Sequence, residues 1–220
     1  MNTNKIKFLI YKFPEMGILI GVILSFLIFY IADNSMADVS TLVRMATQGT
    51  CIGFAAYGMS YLMITGEIDL SSGAVAGLAA TVSGMMLDSG YNELISYTSA
   101  LSVAALVGLL NSFMTLVIGI PSFFGTLGTS FAASGLIIWL LKGRWIYTGD
   151  FIPFLDFLFS PSPFFEFPWV FLFYAILIIF GDILIRTSKL GTILKATGGN
   201  VLSAKIAGIK TNYVKTLCFL

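Results

Sequence analysis

Apolar residues in this chain run in long unbroken stretches, interrupted by short polar breaks. Stretches at about 16–32, 42–65, 70–87, 94–118, 122–141 and 168–185 each come near the ~20 residues that carry a helix across a ~30 Å hydrocarbon core. A barrel strand would alternate with period two, and these stretches do not. The pattern therefore predicts an all-α, polytopic transmembrane helix bundle: six spans, and the start of a seventh near Tyr213 that reaches Leu220. Residues 1–220 read as one transmembrane domain. Lys5, Lys7 and Lys12 precede the first stretch, and Ser35-Met36-Ala37 loosely resembles a leader cleavage site. The stretch is long and others follow it, so it reads as a span rather than a leader.

The polar residues set the orientation. Arg186, Lys189, Lys195, Lys205, Lys210 and Lys215 follow the sixth stretch, and only Arg44, Lys142 and Arg144 fall on the opposite side. The Lys/Arg bias places both basic ends, including the N-terminus, in the cytoplasm. Asp33, Asp38, Asp88, Glu93, Asp150, Asp156 and Glu166 then lie outside. The outer segment 142–168 holds four of the six prolines among aromatic residues. It reads as an interfacial loop without regular helix, or as a docking surface for an external partner. Small-xxx-small pairs at Gly49 and Gly53, Gly73 and Gly77, and Ala80 and Gly84 predict close helix approach.

Three polar breaks are candidates for function. The first, Thr65 to Gly73, puts Glu67 and Asp69 between two apolar stretches. Charges at membrane depth are costly and face protein or a water-filled path. Gly66 suits a helix break, and Asp69, Ser71 or Ser72 suits the cap of the next helix. Glu67 has no such local role; a straight helix from Leu42 would carry it near the cytoplasmic face, and a break near Gly49 and Gly53 would set it deeper. The second, Gly119 to Thr129, has Pro121 ending one helix and a Gly/Thr run through which the chain re-enters. Two broken hairpins on one side resemble the interrupted helices of transporters; two plain inner turns are the alternative. Asn111 just upstream suits interhelical hydrogen bonding. The third, 190–209, is a basic cytoplasmic loop with a short helix capped by Asn200 or Ser203, in which Ala204, Ala207 and Gly208 are placed to pack. It is either a membrane-adjacent loop or a helix that enters a partner's groove.

Composition narrows the chemistry. The chain is 57% hydrophobic and 10% charged with net charge +1. That excludes a water-soluble domain, a disordered tail and a nucleic-acid binder. There is no His, so neither His-based catalysis nor imidazole-ligated metal is available. Cys51 and Cys218 lie in apolar segments and read as reduced packing residues. No P-loop sequence occurs, so the chain does not bind a nucleotide by that route.

Together the three breaks resemble the permease subunits of bacterial ABC importers for ribose and other simple sugars. Such permeases show G-G-I-D-L-S-V-G, then P-x-F-x-x-T-L-G after G-L-L-N, then A-x-G-G-N-x-x-A-x-x-x-G-I. They stand here at residues 66–73, 109–128 and 196–209. Glu67 stands where a second Gly is common and Ser72 where Val is common, and about a hundred further residues of the family have no counterpart. The resemblance implies a separate ABC ATPase that uses ATP, with no cofactor or catalytic residue on this chain. It implies a periplasmic or lipid-anchored sugar-binding protein, a second permease copy or paralogue, and residence in the bacterial inner membrane among lipid. Gly199, Asn200, Ala204, Gly208 and Ile209 would form the ATPase contact. Glu67, Asp69, Ser71, Asn111, Thr126 and Thr129 would line the translocation path or its gate. Branched-chain amino-acid and nucleoside permeases are sister readings. An ion-coupled secondary transporter and a non-conducting assembly subunit are the competitors.

Overall fold

The structure, a computed structural model, describes residues 16–146, 152–163 and 167–220. Lys5, Lys7, Lys12, Asp150 and Glu166 of the charge reading lie outside the described residues. The chain divides into two units, 1–48 and 49–220.

The first unit holds α1 (Met16–Ala32), a 3-10 turn (Asn34–Ala37) and the first residues of α2 (Val39–Ile64). α1 has no buried residue, as expected of a helix that is apolar all round and has lipid for its neighbour. Asp33 stops it and starts the 3-10 turn by accepting the Ser35 N–H at 2.9 Å, which holds its carboxyl below the usual value.

In the second unit the rest of α2 is followed by α3 (Ser72–Asp88), α4 (Glu93–Phe113), a π turn (Met114–Ile118) and α5 (Ser122–Leu141). Then come α6 (Pro153–Phe159), α7 (Trp169–Thr187), α8 (Lys189–Gly199), α9 (Val201–Ile206) and α10 (Thr211–Phe219). α3 packs along both α4 and α5, and α10 packs on α4. The described residues form no strand beyond one isolated bridge, Pro161 to Pro168. A helix thus stands at each apolar stretch. Three of them are long and apolar enough to cross a membrane: Glu93–Ile118 (α4 with its π turn), Ser122–Leu141 and Trp169–Thr187. α1 and α3 have 17 residues each, and Thr41, Arg44, Thr47 and Gln48 dilute α2. Length and composition alone therefore carry three crossings, and the count of six rests on pattern.

Burial runs opposite to that of a soluble domain. The fully buried side chains include Asn111, Thr65, Thr126, Ser71 and Ser96, with Leu62 as the one large aliphatic. Leu101, Phe131 and Ile138 are 70%, 70% and 72% exposed. Polar groups that cannot face hydrocarbon turn inward and find partners, and aliphatic groups turn outward.

Several local expectations are corrected. α2 continues through Gly49 and Gly53 without a break. Gly119, at φ 86°, ends the helix before it, and Pro121 stands at the start of α5 instead of stopping α4. Only glycine takes that left-handed conformation without strain, and proline has no N–H for a helix start to leave unpaired. The proline-rich outer segment forms a short helix, α6, with Pro153 in its first turn for the same reason. Of the small-residue pairs, Gly53 meets Tyr174 and Gly77 meets Ile137, while Gly49 and Gly73 approach nothing. Cys51 is exposed and Cys218 half-buried; both are free.

Candidate functional site: a polar hub at the α2–α3 turn

α2 ends where Gly66 adopts φ 84°. Its N–H returns to the Met63 carbonyl, and the Glu67 N–H to that of Leu62. These bonds satisfy carbonyls that a helix end leaves open. The chain then runs outside any helix through Ile68, Asp69 and Leu70 before α3 begins, so the N–H groups of Ile68 and Leu70 need partners from elsewhere.

α5 supplies them. The Ile68 N–H donates to Ser122 Oγ at 3.1 Å and the Leu70 N–H to Thr126 Oγ1 at 3.0 Å. Thr126 donates its own proton to the Ser122 carbonyl at 2.7 Å. One turn on, Thr129 Oγ1 reaches Asn111 Oδ1 at 2.8 Å and the Thr126 carbonyl at 2.9 Å. The spacing of Ser122, Thr126 and Thr129 places all three on one face of α5.

Asp69 ends a directed chain. Asn111 Nδ2 donates to Ser71 Oγ at 2.9 Å, and Ser71 Oγ donates to Asp69 Oδ1 at 2.6 Å. The same oxygen accepts the Ser71 N–H at 2.6 Å. A hydroxyl has one proton, so the Ser71 bond to the carboxylate fixes its lone pairs toward Asn111. Asp69 thus closes an Asx turn ahead of α3 instead of capping the helix directly, and Ser71 at the N-cap makes no side-chain cap bond. Asp69 Oδ2 has no partner among the described residues. It borders a cavity of about 360 Å³, lined also by Phe54, Leu62, Ser71, Asn111 and Cys218.

Glu67 has a partner that the sequence did not suggest. Lys215 Nζ, on α10, donates to Glu67 Oε1 at 2.5 Å. Lys215 was counted among the cytoplasmic basic residues; here its side chain is only 11% exposed. On the next residue of α10, Thr216 Oγ1 lies 2.7 Å from Ser112 Oγ. Phe219's carbonyl abuts Gly108, where a Cβ would collide with it. Of the six path candidates, the structure joins Asp69, Ser71, Asn111, Thr126 and Thr129 in one network and sets Glu67 beside them on the same turn.

The predicted ATPase-contact residues sit on α8, α9 and the turn that follows. Asn200 closes α8 and caps α9, its Oδ1 accepting the Ser203 N–H at 2.9 Å. Gly199, Asn200 and Gly208 are exposed, and Ile209 is half-buried. Ala204 faces inward at 3% exposure, so it supports α9 from beneath and leaves the outer face to Leu202 and Ile206. Ala207 and Gly208, expected to pack closely, are exposed. The segment rests on the hub: a Cβ at Gly198 would collide with the Ile64 carbonyl at the end of α2. That contact, the Glu67–Lys215 pair and the exposed Leu202 and Ile206 escaped sequence reading.

At the opposite end, Glu93 Oε2 accepts the Phe154 N–H at 3.2 Å. Asp88, Arg144 and Trp145 line one small recess. Glu93, the first residue of α4, thereby ties it to α6.

Curated relatives of the chain are named autoinducer 2 import system permease protein LsrC. The protein from Escherichia coli O9:H4 (strain HS) is 26% identical over 205 residues, covering 93% of this chain and 59% of its own length. That from Yersinia enterocolitica is 28% identical over 204 residues (91% and 55%), and that from Photorhabdus luminescens 28% over 206 residues (93% and 61%). The chain therefore spans somewhat over half the length of these relatives. No solved structure matches it. The profile of the family described as "branched-chain amino acid transport system / permease component" matches residues 41–220, and the chain belongs to that family.

Proposed function

We propose that the chain is a membrane-spanning permease subunit of an ATP-driven, binding-protein-dependent importer of a small hydroxylated solute. Simple sugars such as ribose, suggested by the motif resemblance, and autoinducer 2, named in the relatives, are the candidates. The chain crosses the inner membrane six times from a cytoplasmic N-terminus and pairs with a second permease to enclose the path. The ATPase binds ATP and docks on α8 and α9; the binding protein delivers solute to the side of α6.

The observation that carries this reading is the Oδ2 of Asp69, unpartnered among the described residues, beside a cavity where Ser71 and Asn111 are already hydrogen-bonded to each other. A carboxylate oxygen accepts hydrogen bonds from solute hydroxyls, and Phe54 offers an apolar face to C–H groups. The contact of Gly198 with Ile64 gives a route from the cytoplasmic segment to the same turn. ATP binding at the partner supplies the differential energy that shifts the inward and outward populations. The ion-coupled alternative would use Glu67 and Asp69 as coupling carboxylates, and the pairing of Glu67 with Lys215 weighs against that role for Glu67.

The test is purification of the tagged chain from native membranes, identification of what accompanies it, and reconstitution in vesicles. The expected result is an ABC ATPase and a solute-binding protein, with uptake of ribose or autoinducer 2 that needs ATP and ignores uncouplers. Uptake without ATP that uncouplers abolish would overturn the reading in favour of a secondary transporter. Stable assembly without uptake of any solute its binding protein accepts would leave an assembly subunit.

A further inference from the structure

Glu67 and Lys215 are 148 positions apart in sequence, yet their side chains meet with only 14% and 11% of their surfaces exposed. Removing either partner strands a charge in a low-dielectric site, so the pair behaves as a unit. It is not an element of the recognisable motif, since Glu67 stands where a second glycine is common.

Its position gives it more than a packing role. The α2–α3 turn has the cytoplasmic segment on one side, where Gly198 abuts the Ile64 carbonyl. On the other side it has α10, held by Lys215. α10 also packs on α4, through Ser112 with Thr216 and Gly108 with Phe219, and touches α8 and α9; among the described residues no other hydrogen bond or ion pair ties it to the turn. The ion pair is thus the polar link between α10 and the turn. Cys218, three residues beyond Lys215, and Asp69, two beyond Glu67, border the same cavity. A separation of α10 from the turn would open that cavity from its inner wall.

We propose that Glu67 and Lys215 are a positioning pair that clamps α10 to the α2–α3 turn. Movement imposed on α8 and α9 then reaches both walls of the Asp69 cavity together. The clamp holds the cavity wall closed, and its loss lets ATP hydrolysis proceed without transfer of solute. The second half of this statement rests on the permease reading above; the first half does not.

The experiment uses the full chain in its assembled complex, with every thiol except Cys218 replaced by serine. Parent, E67Q, K215M, K215R and the exchange E67K/K215E are compared. One readout is the rate at which a small maleimide modifies Cys218. The other is ATP hydrolysed per solute taken up in vesicles. E67Q and K215M are expected to speed Cys218 modification about tenfold, as local opening of a clamped helix becomes easier, and to raise ATP per solute several-fold. E67K/K215E and K215R are expected to return both readouts toward the parent, which a loss of packing alone would not do. Parental labelling and coupling in assembled E67Q and K215M would overturn the proposal. So would failure of both E67K/K215E and K215R to restore either readout. Should E67Q and K215M fail to assemble, those two charge-preserving variants decide the matter. Thiol labelling requires neither ATPase nor solute, so the clamp is judged even where the importer reading fails.

Discussion

Two helix contacts in the second unit are built on opposite principles. Where α3, α4 and α5 meet, Ser71, Asn111, Thr126 and Thr129 join them by directed hydrogen bonds. Where α7 meets α2, glycine faces tyrosine instead. Gly53 of α2 takes the Tyr174 ring and Gly181 of α7 takes the Tyr57 hydroxyl, which also bonds that of Tyr61. Phe54 and Tyr174 pack with ring centres 5.0 Å apart. The first contact fixes orientation, because hydrogen bonds are directional. The second fixes distance, because a ring fills the space that an absent Cβ leaves. Hydrocarbon offers no competing hydrogen bonds and no hydrophobic drive between helices, so each device serves alone.

The contrast can be broken from either side. The largest effect is expected from Asn111→Leu, which leaves Ser71 and Thr129 without their interhelical partner in a buried site. It should cost about 1–3 kcal/mol in detergent unfolding and abolish uptake. Gly181→Ala should cost about 1–2 kcal/mol, since its Cβ meets Tyr57. Tyr57→Leu should be less harmful in that background than in the parent, a non-additivity that marks a steric seam. Asp69→Asn sharpens the comparison. An amide oxygen still accepts from Ser71, so unfolding should shift by no more than about 0.5 kcal/mol. Uptake should fall if Oδ2 binds solute as a carboxylate, and retained uptake would leave Asp69 a turn-forming residue only. The smallest effect is expected from Arg186→Ala. Its pair with Asp182 is exposed on both sides, and the loss should stay within about 0.5 kcal/mol.

Much of the framework was readable from the residues. Long apolar stretches leave little choice of structure in lipid, and each helix begins and ends within a few residues of its stretch. The polar breaks were also legible, because polar groups among apolar ones must have a purpose. Their partners were not. Ile68 bonds Ser122 and Lys215 bonds Glu67 across 54 and 148 positions, and no local pattern marks such pairs. Lys215 misled in particular. Lysine near a helix end reads as a cytoplasmic charge, and only a carboxylate brought alongside by the fold makes burial acceptable. The small-residue pairs announced close approach, but one glycine of each of two pairs delivers it, since one side of a helix faces a neighbour at a time. Proline was over-read at Pro121 and Pro153: in a first helical turn it begins helices as readily as it ends them elsewhere.

The π turn at Met114–Ile118 has a consequence for the length of the chain itself. Such a turn is an α-helix carrying one residue more than its pitch needs. A single-residue deletion within it can be absorbed by reversion to ordinary α pitch, whereas a deletion in α4 proper would turn every later side chain to the wrong face. The reversion leaves the angle between Asn111 and the Gly119–Pro121 corner close to its present value, where an unabsorbed deletion would change it by about 100°. The surplus residue therefore acts as slack, and the angular phase between two halves of one hairpin does not depend on it. Shortening the chain there should yield a protein that inserts normally with Asn111 and Thr129 still in step.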